Sequence, residues 1–150
     1  MNIYSILDKE QKDIIDQCLQ LIKQDQIMQC KKIEIEEKCL GKVIPILQYF
    51  INNDMYCDGY ITKHLEENII EFRIQLPKSD HLLRIIAWYT RWEMILLTWS
   101  LIKPKWYEDK KTTQDVEQEY ITLITEAKNI RKDFTTQQQY SYSDISILIA

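Results

Sequence analysis

Residues 69–102 constrain the fold more than any other part of the chain. Within "IIEFRIQL" (69–76), Ile70, Phe72 and Ile74 alternate with Glu71, Arg73 and Gln75, the period-two signature of a half-buried strand. Two denser apolar runs follow, "LLRIIAWYT" (82–90) and "MILLTWSLI" (94–102), separated only by "RWE". So short a break makes an antiparallel hairpin the economical connection, and the nearly continuous second run predicts a central strand. Three antiparallel strands are therefore expected.

The flanks read mostly as helix. "IYSIL" (3–7) suits a short first strand, and Asp8 with Gln11 resembles a capping box opening a helix over about 9–24. Ile14, Ile15, Cys18, Leu21 and Ile22 share one face of that helix. "KKIEIEEKCLGK" fits a strand or a helix surface equally, and both stay open. Val43, Ile44, Leu47, Phe50 and Ile51 repeat at helical spacing, with Pro45 tolerable in the first turn and a stop near residues 52–54. Asp58-Gly59 is turn chemistry. After a loop, Val116, Tyr120, Leu123, Ile124 and Ala127 mark a helix over about 114–132, capped by Thr112 or Thr113. The expected fold class is α+β: N-terminal helices packed on a small antiparallel sheet, with a C-terminal helix. A single domain is placed at 1–134, with 135–150 as a polar tail. For this tail, "TTQQQYSYSDISILIA", a flexible tail, an added edge strand and a partner-binding segment all remain open.

At 150 residues and 45% hydrophobic content, the chain is the size of one domain able to bury a core unaided. Its net charge of −4 excludes a generally polyanion-coated protein. The charge is uneven, however: residues 60–111 carry nine Lys/Arg against seven Asp/Glu, while both flanks are acidic. Any nucleic-acid contact is therefore expected to be local and to involve this middle part. Cys18, Cys30, Cys39 and Cys57 show neither CxxC spacing nor histidines at zinc-ligand distance, so no metal or other cofactor is expected. The N-terminus lacks a signal-peptide pattern, and the longest apolar run has nine residues where a span needs about 20. A soluble, cytoplasmic protein without a membrane partner is expected.

From Pro45 to Ile130 the order of segments carries a further signal. "PILQYFINN", "KHL" (63–65), "IIEFRI" (69–74), "LLRIIAWY" (82–89), "MILLTWSLIKP" (94–104) and "KKTTQDVEQEYITLITEAK" (110–128) stand in sequence. This succession resembles the RelE/HigB-like toxins of type II toxin–antitoxin systems, especially the phage-derived branch. That branch reads as a helix, a "K-x-L" turn region, "LYELRI", "YRILY", a strand ending "ILLHGFVKKT" and a closing helix. The first 40 residues form an extension without counterpart. Pro104 stands where the family has its second lysine.

The resemblance implies a RelE-like fold and an mRNA interferase, an endoribonuclease that cuts mRNA on the ribosome and is neutralised by a cognate helix-turn-helix antitoxin. Arg84 matches the arginine of "YRILY", Arg73 the basic residue of "LYELRI", and Lys103 the first lysine of "VKK". These three are the expected catalytic residues. Attack of a ribose 2′-OH on the adjacent phosphate concentrates negative charge on phosphoryl oxygens, which fixed cations stabilise. If strands 69–76 and 82–90 are adjacent, Arg73 and Arg84 project from one open face. Lys63, Lys105, Lys110 and Lys111 are candidates for guiding RNA, and His81 and His64 for acid or base work. Glu71, on the same side as Arg73, offers another reading in which the arginines are simply ion-paired, Arg84 to Glu71 or Glu93. Of the tryptophans, Trp99 is expected in the core and Trp92 exposed in the turn. Two alternative functions stand beside the toxin: a catalytically inactive RelE-fold module for protein–protein interaction, and a metal- or thiol-dependent enzyme using Cys30, Cys39 or Cys57.

Overall fold

The structure, a computed structural model, describes residues 1–17, 20, 43–57, 59, 62–75, 82–102 and 113–149. Its strands are β1 (Asn2–Leu7), β2 (Thr62–Glu66), β3 (Ile69–Gln75), β4 (Leu82–Tyr89), β5 (Glu93–Ile102) and β6 (Ser141–Asp144). They form one sheet in the order β2-β3-β4-β5-β1-β6. β2 to β5 make an antiparallel meander. β1 then lies parallel to β5, with Ile3 opposite Met94, and β6 closes antiparallel on β1. Helix α1 begins at residue 14, α2 spans 43–52, α3 runs Thr113–Thr136, and α4 is the single turn Ser146–Ile149.

Strand alternation sorts the core into two clusters, one on each face. Ile70, Phe72 and Ile74 of β3, Leu83, Ile85 and Ala87 of β4, and Met94 and Leu96 of β5 pack beneath Ile14 and Ile15 of α1 and Val43, Leu47 and Phe50 of α2. Phe50 meets Phe72 and Tyr89 edge to face, with centroids 5.3 and 5.4 Å apart, a favoured aromatic geometry. On the other face Ile69, Ile86, Ile95 and Leu97 pack against Ala127 and Ile130 of α3. The sheet is thus covered on both sides. β3 keeps its period of two, but its polar face is not a water face.

The three strands of the meander expected from sequence are present nearly to the residue; the sheet they belong to is larger. β2 contains the "KHL" that the family pattern places in a turn. It shows one buried residue, Thr62, in five, too weak an alternation to read as a strand. The first helix starts later than expected because Asp8 does not cap it. The Asp8 carboxylate accepts N–H bonds from Glu10 and Lys12 (2.9 and 2.8 Å), closing a turn. Asp13 is the cap instead, accepting from the Asp16 N–H at 2.9 Å. Buried Ser5 on β1 accepts the Ile14 N–H at 2.9 Å and ties the helix start to the sheet.

The reading of 135–150 as a polar tail is corrected: of the alternatives open for the segment, the added edge strand is present as β6, followed by α4. Ile145 and Ile149 enter the α1/α2 core cluster. The Ile3 N–H donates to Ser146 Oγ at 2.9 Å, the Ile145 N–H to the Ile3 carbonyl at 2.8 Å, and Gln48 Nε2 to the Ile149 carbonyl at 2.9 Å. The segment looked polar because a four-residue edge strand buries little. One inward residue, Tyr142, packs edge-on against Phe134 at 4.9 Å.

Asp133 holds the reversal from α3 into β6, where Gln137 takes a left-handed φ of 52°. Its carboxylate accepts N–H bonds from Gln138, Gln139 and Tyr140 (3.2, 2.7 and 3.0 Å) and the Tyr142 O–H at 2.9 Å. Burial works to raise its pKa, but these four donors outweigh burial and hold it below the usual carboxylate range. The Tyr142 hydroxyl, buried and beside that carboxylate, is pushed well above its ordinary value. A carboxyl depressed in the folded state stabilises the fold above its unfolded pKa of about 3.9, and this contribution disappears as pH falls through the folded value. Thermal melts from pH 7 down to pH 3 are therefore expected to show a falling midpoint below about pH 4. The slope should be shallower in Asp133→Asn; parallel profiles for the two proteins would remove Asp133 as the cause.

Candidate functional site

The α3-facing side of the sheet brings three of the sequence-selected cations together. Lys63 on β2 is paired in register with Glu71 on β3, and Arg73 on β3 stands directly opposite Arg84 on β4. Cross-strand partners share a face, so all four side chains project toward α3. Glu71 is fully buried. Its Oε1 lies 3.4 Å from Arg73 Nε and 3.6 Å from Arg84 Nε.

Tyr120 of α3 covers the group. Arg73 donates through Nη2 to the Tyr120 hydroxyl at 2.7 Å. The Arg84 guanidinium carbon and Lys63 Nζ lie 5.5 and 5.3 Å from the centre of the Tyr120 ring, within cation–π range. Burial works against the charge on Arg73, but the Glu71 carboxylate and the Tyr120 hydroxyl outweigh it and raise the pKa of the guanidinium.

The expectation of an open face is corrected here. Arg73 and Arg84 do share a face, but Arg84 is only 4% exposed because α3 crosses it. The Arg73 side chain is 30% exposed and Lys63 is exposed. Between Glu117 and Glu126 no α3 residue is buried, and Ala127, which follows them and is buried, begins the segment fastened into the core. α3 is fixed further by a Lys128–Glu66 ion pair at 2.7 Å and by Arg131 over Trp88 at 5.8 Å.

His64 is not part of the group. It is paired in register with Ile70, on the face toward α1 and α2, and its ring lies 6.2 Å from Tyr89. His81, Lys103, Lys105, Lys110 and Lys111 lie outside the described residues. Arg91 sits in the β4–β5 turn over the exposed ring of Trp92, at 5.5 Å. Trp99 packs on the α1/α2 core and donates to Gln17 Oε1 at 3.0 Å.

Sequence reasoning counted Tyr120 only as a member of an apolar helix face and so missed it. The available signal was a hydroxyl in an otherwise aliphatic series. Among the described residues no three His, Cys, Asp or Glu side chains gather as metal ligands. Cys57 is a free thiol that donates to the Thr62 carbonyl at 2.8 Å, whereas Cys30 and Cys39 lie outside the described residues. No described helix is long and apolar enough to cross a membrane. In chemical terms, the arrangement is a partly buried cluster of three cations and a phenol around one buried carboxylate. No family model matches the chain, and comparison with curated proteins and with solved structures finds no match either.

Proposed function

We propose that the chain is a RelE/HigB-like toxin, a ribosome-dependent mRNA endoribonuclease held inactive by a helix-turn-helix antitoxin. The observation that carries this reading is the convergence of Lys63, Arg73 and Arg84 on one sheet face around Tyr120. It adds to the order of segments that the chain shares with those toxins and to the cationic middle of an acidic protein. In this reading the accessible cations, Lys63 and Arg73, contact the scissile phosphate, Lys103 contributes a third charge, and Arg84 backs them from beneath. Their fixed charge stabilises the phosphoryl oxygens as the 2′-OH attacks, without reorganisation of solvent. The cationic face also draws the polyanion locally, despite the negative total.

The burial of Arg84 against Glu71 favours a second reading, an inactive module of the same fold that binds another protein. Regulated expression in bacteria separates the two. The toxin reading expects growth arrest with cleaved ribosome-bound mRNA, relieved by Arg73→Ala and by Lys103→Ala at unchanged protein levels. Arrest that persists in both variants would remove this site. A protein that neither slows growth nor cuts mRNA with ribosomes, yet isolates in a stable complex, decides for the module.

A further inference from the structure

Among the clusters of charge, exposed apolar patches and buried polar groups, one group has no role in the chemistry above and yet is costly to bury. Glu71 is 0% exposed, and neither of its carboxylate oxygens has a hydrogen-bond partner among the described residues. Burying a carboxylate without hydrogen bonds is unfavourable unless its charge serves its neighbours. Its neighbours here are two arginines placed directly opposite each other, an arrangement that like charges disfavour. The same oxygen, Oε1, stands close to both Nε atoms.

We infer that Glu71 is a positioning residue for this cation cluster: its carboxylate, shared between the phosphate-contacting Arg73 and the Arg84 that backs it, fixes the direction of both guanidinium groups. Each arginine makes its closest approach to the carboxylate through Nε, not through its paired terminal nitrogens. Arg73 thus stands with Nε 3.4 Å from the carboxylate while Nη2 donates to the Tyr120 hydroxyl, so the charge of Glu71 and the phenol together set the plane of its guanidinium. The acidic residue that at first counts against an RNA site becomes the part that organises it. Glu71 does not itself touch the substrate.

This inference rests on the nuclease reading, and the experiment keeps the two apart. Glu71→Gln preserves shape and removes the charge, while Glu71→Asp keeps the charge on a shorter arm. Glu71→Gln, shown folded by near-ultraviolet circular dichroism, is expected to cut ribosome-bound mRNA about 10²-fold more slowly at little changed KM, the scale of loss when a reacting group is misplaced. Glu71→Asp is expected to restore part of the rate. A purely structural carboxylate would lower the melting temperature while leaving the rate of the folded fraction intact. Independently of activity, the arginine Nε–H resonances of Arg73 and Arg84 are expected to be sharp in the parent and broadened in Glu71→Gln. Unchanged resonances, or a folded Glu71→Gln protein cutting at the parental rate, overturn the inference. A parent that cuts no RNA but whose resonances respond as described overturns the nuclease reading alone.

Discussion

A chain ending at Thr136 is expected to lose cooperative folding. It would lack Ile145 and Ile149, both buried in the α1/α2 cluster, and each such side chain contributes about 1.5–3 kcal/mol by burial. It would also lack the β6 pairing along β1 and the donors from Gln138 to Tyr142 that satisfy Asp133, a buried acceptor left without partners. Against a total stability of about 5–15 kcal/mol, these losses are decisive. Far-ultraviolet circular dichroism during heating checks this: a truncated chain melting within about 3 °C of the parent would mean that the last segment contributes little.

The second large effect lies beneath α3. Arg84→Ala strips a buried carboxylate of its most buried partner, and breaking such a pair costs about 3–5 kcal/mol. Arg73→Ala removes a side chain that is partly in water, and about 1 kcal/mol is expected. Urea denaturation of the two variants measures the difference. Replacing Glu71 and Arg84 together by leucine is expected to recover much of the loss, because the desolvation of both charges disappears with them. Equal destabilisation by the two single alanines would mean that the deeper burial of Arg84 does not set the cost of removing it. This cost also explains why Arg73 and Lys103, and not Arg84, are the informative positions for the toxicity experiment.

The meander was legible because its residues carry their own pattern. Ile70, Phe72 and Ile74 alternate cleanly, and the tight "RWE" break allows only a hairpin, here closed by Thr90 Oγ1 accepting the N–H groups of Trp92 and Glu93. α3 and α2 were equally plain from helical spacing. β2 was not, and β6 only as one of three open alternatives, since an edge strand buries few side chains and the partner of β6 is remote in sequence. The pairing of Arg73 with Arg84 followed from adjacency of two strands, but the burial of that face did not. It depends on where α3 crosses, which no local pattern encodes. Glu71 was visible beside Arg73 as a possible neutralising charge; that one oxygen stands between two arginines is a fact of register, two residues along one strand meeting one on the next.

The place of β1 in the sheet has a consequence for how the chain reaches this state. β2 to β5 join neighbours in sequence, whereas β1 pairs with β5 and β6, and the bond from Ile3 to Ser146 spans 143 residues. Contacts so far apart must wait for loop closure and slow the search. During synthesis, therefore, β1 is completed only when β6, far along the chain, has been made. Until residue 141 has left the ribosome, the β6-facing side of β1 keeps its main-chain groups unsatisfied, a template for pairing with other chains. The chain ending at Thr136 holds this state permanently, and its aggregation relative to the parent measures the hazard.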